Sequence, residues 1–311
     1  MSIFEKAFEK AGKDADEELA DPLFDSSEGL LNIPDSLDEQ AGESGFAKEQ
    51  DSGLWNENRE QAAGSGKQVT LDLSRLRDAG LVDPVSNKSN RTTEEFRRIK
   101  RPLLMHVRGE GATVVENANM IMVTSALPGE GKTFTAINLA MSIAMEMDKT
   151  VLLIDADVAK PDVTSRLGVE AEKGLIDILL DDGLTLPEVL LRTDIPKLTL
   201  LPSGSRHVHS TELLASERMR QLALELSTRY ADRIVIFDSP PLLLTNEARV
   251  LASLMGQVVL VTEESKTPQH AVKEAAEMLD ENEIVGIVMN KGAHSKDSEG
   301  YGGYGYYPYG R

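Results

Sequence analysis

The sequence predicts an α/β protein built on a doubly wound, mainly parallel sheet with helices on both faces. Three observations predict it. From residue 119 onward, short runs of Val, Ile and Leu alternate with helical patterns. The runs are apolar throughout rather than at every second position, as strands buried on both faces must be. Glycine and aspartate cluster just after the runs, where ligands bind in sheets of this kind.

In chain order, residues 1–67 come first and do not belong to that pattern. They hold 17 Asp and Glu against 6 Lys and Arg, which gives this segment −11 of the chain's −19. Few periodic apolar residues accompany the charge, so the segment is expected to be largely disordered. Its first residues differ: Ile3, Phe4, Ala7, Phe8 and Ala11 recur at helical spacing, predicting a short amphipathic helix over 2–13. Trp55 stands alone in the acidic stretch and suggests a local or partner contact. Residues 68–82 carry enough Val and Leu to pack on the domain, and 84–91 reads as a linker. Thr92 then opens a helix to about 107, with Glu95 completing a capping box. Pro102 predicts a kink or an early end.

The apolar runs are 120–124, 151–155, 198–201, 234–238, 258–262 and 284–289. Helices are expected at 132–147, 175–180, 211–230, 246–255 and 269–282. The last eleven residues then place Tyr301, Tyr304, Tyr306, Tyr307 and Tyr309 among glycines and Pro308. Glycine raises the entropic cost of order and proline removes a donor, so residues 292–311 are expected to be a flexible tail.

The chain has no cysteine, which excludes disulfides, thiolate catalysis and Cys-based zinc sites. Its acidity argues against nucleic acid as a partner. No run reaches the ~18 apolar residues of a membrane span, and no signal peptide is legible, so a cytoplasmic protein is expected. His207 and His209 lie two apart with no third ligand, which is too little for a metal site.

The first strand runs into Ala126-Leu-Pro128-Gly129-Glu130-Gly131-Lys132-Thr133-Phe134 and then a helix. This is a P-loop in its required context. Its amides and Lys132 would cradle the phosphates of ATP, and the Thr133 hydroxyl would ligate Mg²⁺. Two further strands end in acids: Asp155 and Asp157 on one, Asp238 on the other. Mg²⁺ takes hard oxygen ligands, so Thr133, Asp155 and Asp238 form a coherent metal set. The fold is therefore a P-loop NTPase type.

Taken together, the P-loop, Asp155-Ala-Asp157, Asp238-Ser-Pro-Pro and the tyrosine tail resemble the bacterial protein-tyrosine kinases that use Walker motifs. That family carries Glu-x-x-Arg-x-x-Arg on an early helix for ring assembly, and Glu95, Arg98 and Arg101 fit it. The opening residues and the stretch 94–104 look most like the exosortase-associated tyrosine autokinases of exopolysaccharide systems. The resemblance implies a kinase domain at 68–291 whose catalytic residues are Lys132, Asp155, Asp157 and Asp238, acting with ATP and Mg²⁺. It implies that Asn290 holds adenine, that the five tail tyrosines are phosphoacceptors, and that the chain forms a homo-oligomeric ring. A separate transmembrane polysaccharide copolymerase would recruit it to the inner face of the membrane, and a cognate tyrosine phosphatase would fit the same system. The chain departs from the family at Ala159, where Arg is common, and at His209-Ser210, where Asn-Pro is usual. Two other functions compete. A partitioning or division ATPase would need a second P-loop lysine, where this chain has Leu127. An assembly subunit would use ATP only to stabilise a ring.

Overall fold

The computed structural model describes residues 66–84, 90–111, 113–229, 233–279 and 284–292. The expected 2–13 helix, Trp55 and the tyrosine cluster lie outside them. The elements are, in order, β1 (Lys67–Val69), α1 (Leu73–Asp78), α2 (Arg91–Val107), β2 (Met120–Ser125), α3 (Lys132–Ala144), β3 (Thr150–Asp155), α4 (Val163–Leu167), α5 (Leu175–Leu180), α6 (Leu186–Val189), β4 (Leu191–Thr193), β5 (Leu198–Leu201), α7 (Ser210–Leu214), α8 (Glu217–Arg229), β6 (Arg233–Asp238), α9 (Asn246–Ala252), β7 (Gln257–Glu263), α10 (Gln269–Glu277) and β8 (Ile284–Asn290).

The strands form one sheet ordered β1-β4-β5-β3-β6-β2-β7-β8. Every neighbouring pair is parallel except β4 with β5. Alternate side chains of the central strands feed two separate cores. Met120, Met122, Leu152, Ile154, Val235 and Phe237 pack with α5 to α10 on one face. Ile121, Val123, Val151, Leu153, Ile234 and Ile236 pack with α1 to α4 on the other. The uninterrupted apolar runs are thus explained, since both faces of β2, β3 and β6 are covered. β8 is the sheet's edge, and its side chains alternate between half-buried and exposed.

The 68–82 stretch packs as expected, with Leu71, Leu76, Leu81 and Val82 buried. It contains β1 and α1, and β1 begins at Lys67, inside the stretch that composition assigned to the acidic segment. Neither β1 nor β4 is legible in the sequence, because three residues make no apolar run.

Three local expectations are corrected. The capping box on Thr92 and Glu95 does not form. Asn90 caps α2 instead, accepting from the Thr93 amide at 2.8 Å, while Glu95 accepts from Arg91 at 2.6 Å. The short Asn90 side chain already meets the amide a cap must satisfy. Nor does α2 end at Pro102: it continues to Val107. Phe96 before the proline and Leu103 and Leu104 after it are all buried, so packing holds both halves despite the lost backbone bond. The single helix expected over 211–230 is two. Ser216 separates them, donating to the Leu213 carbonyl at 2.7 Å and accepting from the Met219 amide at 3.2 Å, which restarts the helix. Helices α3, α9 and α10 also stop several residues short of their expected ends.

Replacing Asn90 by Ala should cost about 1 kcal/mol of stability. A thermal melt should show this as a fall of roughly 2–4 °C.

Candidate active site

Parallel strands β2, β3 and β6 deliver their carboxyl ends to one edge of the sheet. Register pairs Asp155 with Asp238 and Val123 with Asp238, so the acids stand beside the root of the loop that follows β2. That loop is shaped from within. Gly129 and Gly131 adopt φ of 85° and 99°, where a Cβ would be strained. The Glu130 carboxylate folds back beneath it, accepting from the Leu127 amide at 2.7 Å and from the Thr267 hydroxyl. From β8, Asn290 donates to the Glu130 carbonyl at 2.9 Å. Lys291 donates to the Gly129 carbonyl at 2.7 Å while pairing with Glu263 at 2.9 Å.

Helix α3 begins at Gly131 with no side chain capping it. Its first amides are left to an external acceptor, and the helix dipole favours an anion there. Lys132 and Thr133 open the helix and are both buried. Phe134 turns its ring edge-on to Phe96 of α2, with the centroids 6.3 Å apart. Pro128 and Gly129 are exposed at the mouth.

The Lys132 ammonium lies 2.5 Å from Asp157 and 3.7 Å from Asp238. Burial works against its charge, but Asp238 and Asp157 outweigh that and hold its pKa above the ordinary lysine value. One cation therefore faces three carboxylates in a water-poor site. Asp155 is pushed up to about 8, by burial first and by Asp238 second. Asp238 is pushed up to about 6, again by burial first, with Lys132 and then the nearby Thr133 hydroxyl opposing.

Asp155 Oδ2 accepts from the Val163 amide at 3.1 Å, but its Oδ1 and both oxygens of Asp238 have no hydrogen-bond partner. Thr133 therefore acts on Asp238 as a nearby dipole, not as a bonded donor. Buried carboxylate oxygens without partners are costly, and a hard dication is the group that would satisfy them. Thr133, Asp155 and Asp238 thus fit Mg²⁺. Among the described residues no three His, Cys, Asp or Glu side chains form a metal cage, so such an ion would lean on the hydroxyl, phosphates and water as well.

The sequence-predicted residues converge. Lys132, Thr133, Asp155, Asp157 and Asp238 meet at one point, and Asn290 stands over Glu130 and Gly131. Glu95, Arg98 and Arg101 lie elsewhere, on the exposed face of α2. Sequence reasoning missed the internal brace of Glu130 with Thr267, which no motif signals. It also missed Lys291, whose only signal is its place after Asn290. Thr124 was missed too: its hydroxyl donates to the Pro240 carbonyl at 2.8 Å and fixes the turn after Asp238.

The family described as "AAA domain" matches residues 118–285. Tyrosine-protein kinase YwqD of Bacillus subtilis is 36% identical over 217 residues, covering 69% of this chain and 86% of YwqD. Tyrosine-protein kinase wzc of Salmonella typhimurium is 30% identical over 251 residues, covering 80% of this chain but only 33% of wzc. Among solved structures, the kinase domain of VpsO superposes with a TM-score of 0.55 at 31% identity, covering 64% of this chain and 94% of that one.

Proposed function

This chain belongs to the bacterial tyrosine-protein kinases, and from that premise we propose that it phosphorylates its own tyrosine cluster, Tyr301, Tyr304, Tyr306, Tyr307 and Tyr309, using ATP and Mg²⁺. The observation that carries the reading is the single buried ammonium of Lys132, set between Asp157 and Asp238 at an uncapped helix start, beside three carboxylate oxygens that accept no hydrogen bond.

In the transfer, the tyrosine oxygen bonds to the γ-phosphorus as the bond to the bridging oxygen breaks and its electron pair leaves with ADP. Lys132 turns from Asp157 to the phosphate oxygens. It then shares their charge with the loop amides of Gly129 to Thr133. That movement would free Asp157 to take or orient the phenolic proton. Thr133, Asp155 and Asp238 would hold Mg²⁺, which when bound neutralises charge on the phosphates. A phenol of pKa ~10 needs only modest activation, so positioning and charge neutralisation supply most of the rate. Asn290 would meet the adenine.

Glu95, Arg98 and Arg101 would close a ring of copies, each serving its neighbour's tail. Among the described residues no helix is long and apolar enough to cross a membrane. A transmembrane partner of an exopolysaccharide system, of the exosortase-associated kind, would recruit the chain.

Incubation with Mg-ATP, followed by anti-phosphotyrosine blotting and mass spectrometry of the C-terminal peptide, should reveal several phosphotyrosines. Measurable ATP hydrolysis with a blank blot would replace the kinase with a nucleotide-switch ATPase.

A further inference from the structure

The main chain of the P-loop is engaged on one side only. Among the described residues, the amides of Glu130, Gly131 and Lys132 donate to no protein acceptor. The carbonyls of Gly129 and Glu130 are both taken, by Lys291 at 2.7 Å and by Asn290 at 2.9 Å. A trans peptide holds its C=O and the next residue's N–H in one plane, pointing opposite ways. Fixing the Gly129 carbonyl therefore fixes the Glu130 amide, and fixing the Glu130 carbonyl fixes the Gly131 amide. Both amides are turned away from the side chains of β8 and Lys291 and are free for an anion.

The backbone at Lys291 is strained. Its φ of 57° lies in the left-handed region, which side chains disfavour. Its amide donates to Asn290 Oδ1 at 2.8 Å, and its ammonium is anchored by Glu263 at 2.9 Å. Glu263 is held in turn by Lys266 at 2.5 Å. The Lys291 side chain is 45% exposed, so burial does not account for the arrangement, whereas Glu263 at 12% is a firm base for it. We propose that Lys291 is a positioning residue for the phosphates of ATP, acting through the Gly129–Glu130 peptide rather than on the nucleotide itself. The inference rests on the ATP-binding reading above and needs no tyrosine acceptor.

Two other roles for this lysine have different consequences. A plain cation at the phosphate mouth would attract anions more strongly once Glu263 no longer neutralised it. A brace needs Glu263, because the carboxylate is what holds a flexible, half-exposed stem against the Gly129 carbonyl. Removing Glu263 therefore has opposite signs under the two roles. A lysine lying against the base or ribose, by contrast, would be felt by nucleotides and not by a bare phosphate ligand.

Isothermal titration of the full-length protein with Mg-ADP and with magnesium pyrophosphate separates these roles. Lys291→Met should weaken both ligands by the same factor, roughly five- to tenfold, the scale of one amide misaligned towards a charged acceptor. Lys291→Arg keeps a cationic donor and should recover most of that loss. Glu263→Ala should weaken both ligands by a smaller factor. Tighter pyrophosphate binding to the Glu263→Ala chain would make Lys291 a plain charge and overturn the brace. A loss confined to ADP would put Lys291 on the base or ribose, and unchanged affinity for both would remove it from the site; either result overturns the proposal. Wild-type protein that binds neither ligand would overturn the ATP reading itself, and the brace with it.

Discussion

Asp155→Asn should make the nucleotide-free protein more stable and the enzyme nearly inactive. The two effects have one cause. Asp155 is fully buried and beside Asp238, and its pKa stands near 8 in the folded chain against an ordinary value of 3.8. A carboxyl whose folded pKa is raised binds more protons folded than unfolded, so its favourable contribution is complete below about pH 4. That contribution is lost as pH rises towards 8. The wild type without nucleotide should therefore soften across that window, and Asp155→Asn should not. Near pH 7 the substitution should stabilise by about 2 kcal/mol or more, allowing for the coupling to Asp238. A melt should register this as a rise of roughly 5 °C. Transfer should fall about 10²–10³-fold, the scale for losing one preorganised electrostatic partner of the transition state. Mg-ATP should stabilise the wild type more than the variant, since the wild type alone keeps both carboxylates for the ion. Coincident melting curves of the two chains from pH 5 to 8.5 would refute the strain at Asp155.

Lys132→Met should abolish phosphotyrosine formation by any chain that carries it, yet leave its tail a substrate. Mixed with an active chain lacking 293–311, the variant should become phosphorylated in trans. An unmodified tail in that mixture would exclude transfer between copies. The substitution also leaves Asp157 and Asp238 without their buried counter-ion, so the nucleotide-free variant should melt lower, by the equivalent of about 3 kcal/mol. Phosphorylation of its tail in the mixture serves as the check that the chain remains folded enough to be presented.

Much of this site was legible because its chemistry is written contiguously. The P-loop is eight adjacent residues, Asp155 and Asp238 each end a run whose burial on both faces forces an apolar spelling, and Asp157 follows two residues after the first of them. Parallel pairing then brings the ends together without further instruction. Less was legible where structure depends on contacts between distant residues. Thr267 meets Glu130 across 137 positions, and Gln257 donates to Leu103 and Ala118, about 150 and 140 positions away. β1 and β4 exist because each offers the other an edge, which local spacing cannot record. The misplaced cap on α2 had a different origin. Asn90 and Thr92 are both able caps, and the choice fell to the one whose side chain found the Thr93 amide.

The bonds from Asn290 and Lys291 to the Glu130 and Gly129 carbonyls tie the root of the tyrosine tail to the loop that would hold nucleotide. Whatever occupancy of that loop does to these two bonds is felt by the segment leaving β8. Linkage makes the exchange mutual: if ATP alters how readily the tail engages a neighbour, engagement alters the affinity for ATP by the same factor. Each copy's hold on its nucleotide would then report whether its own tail has been taken up.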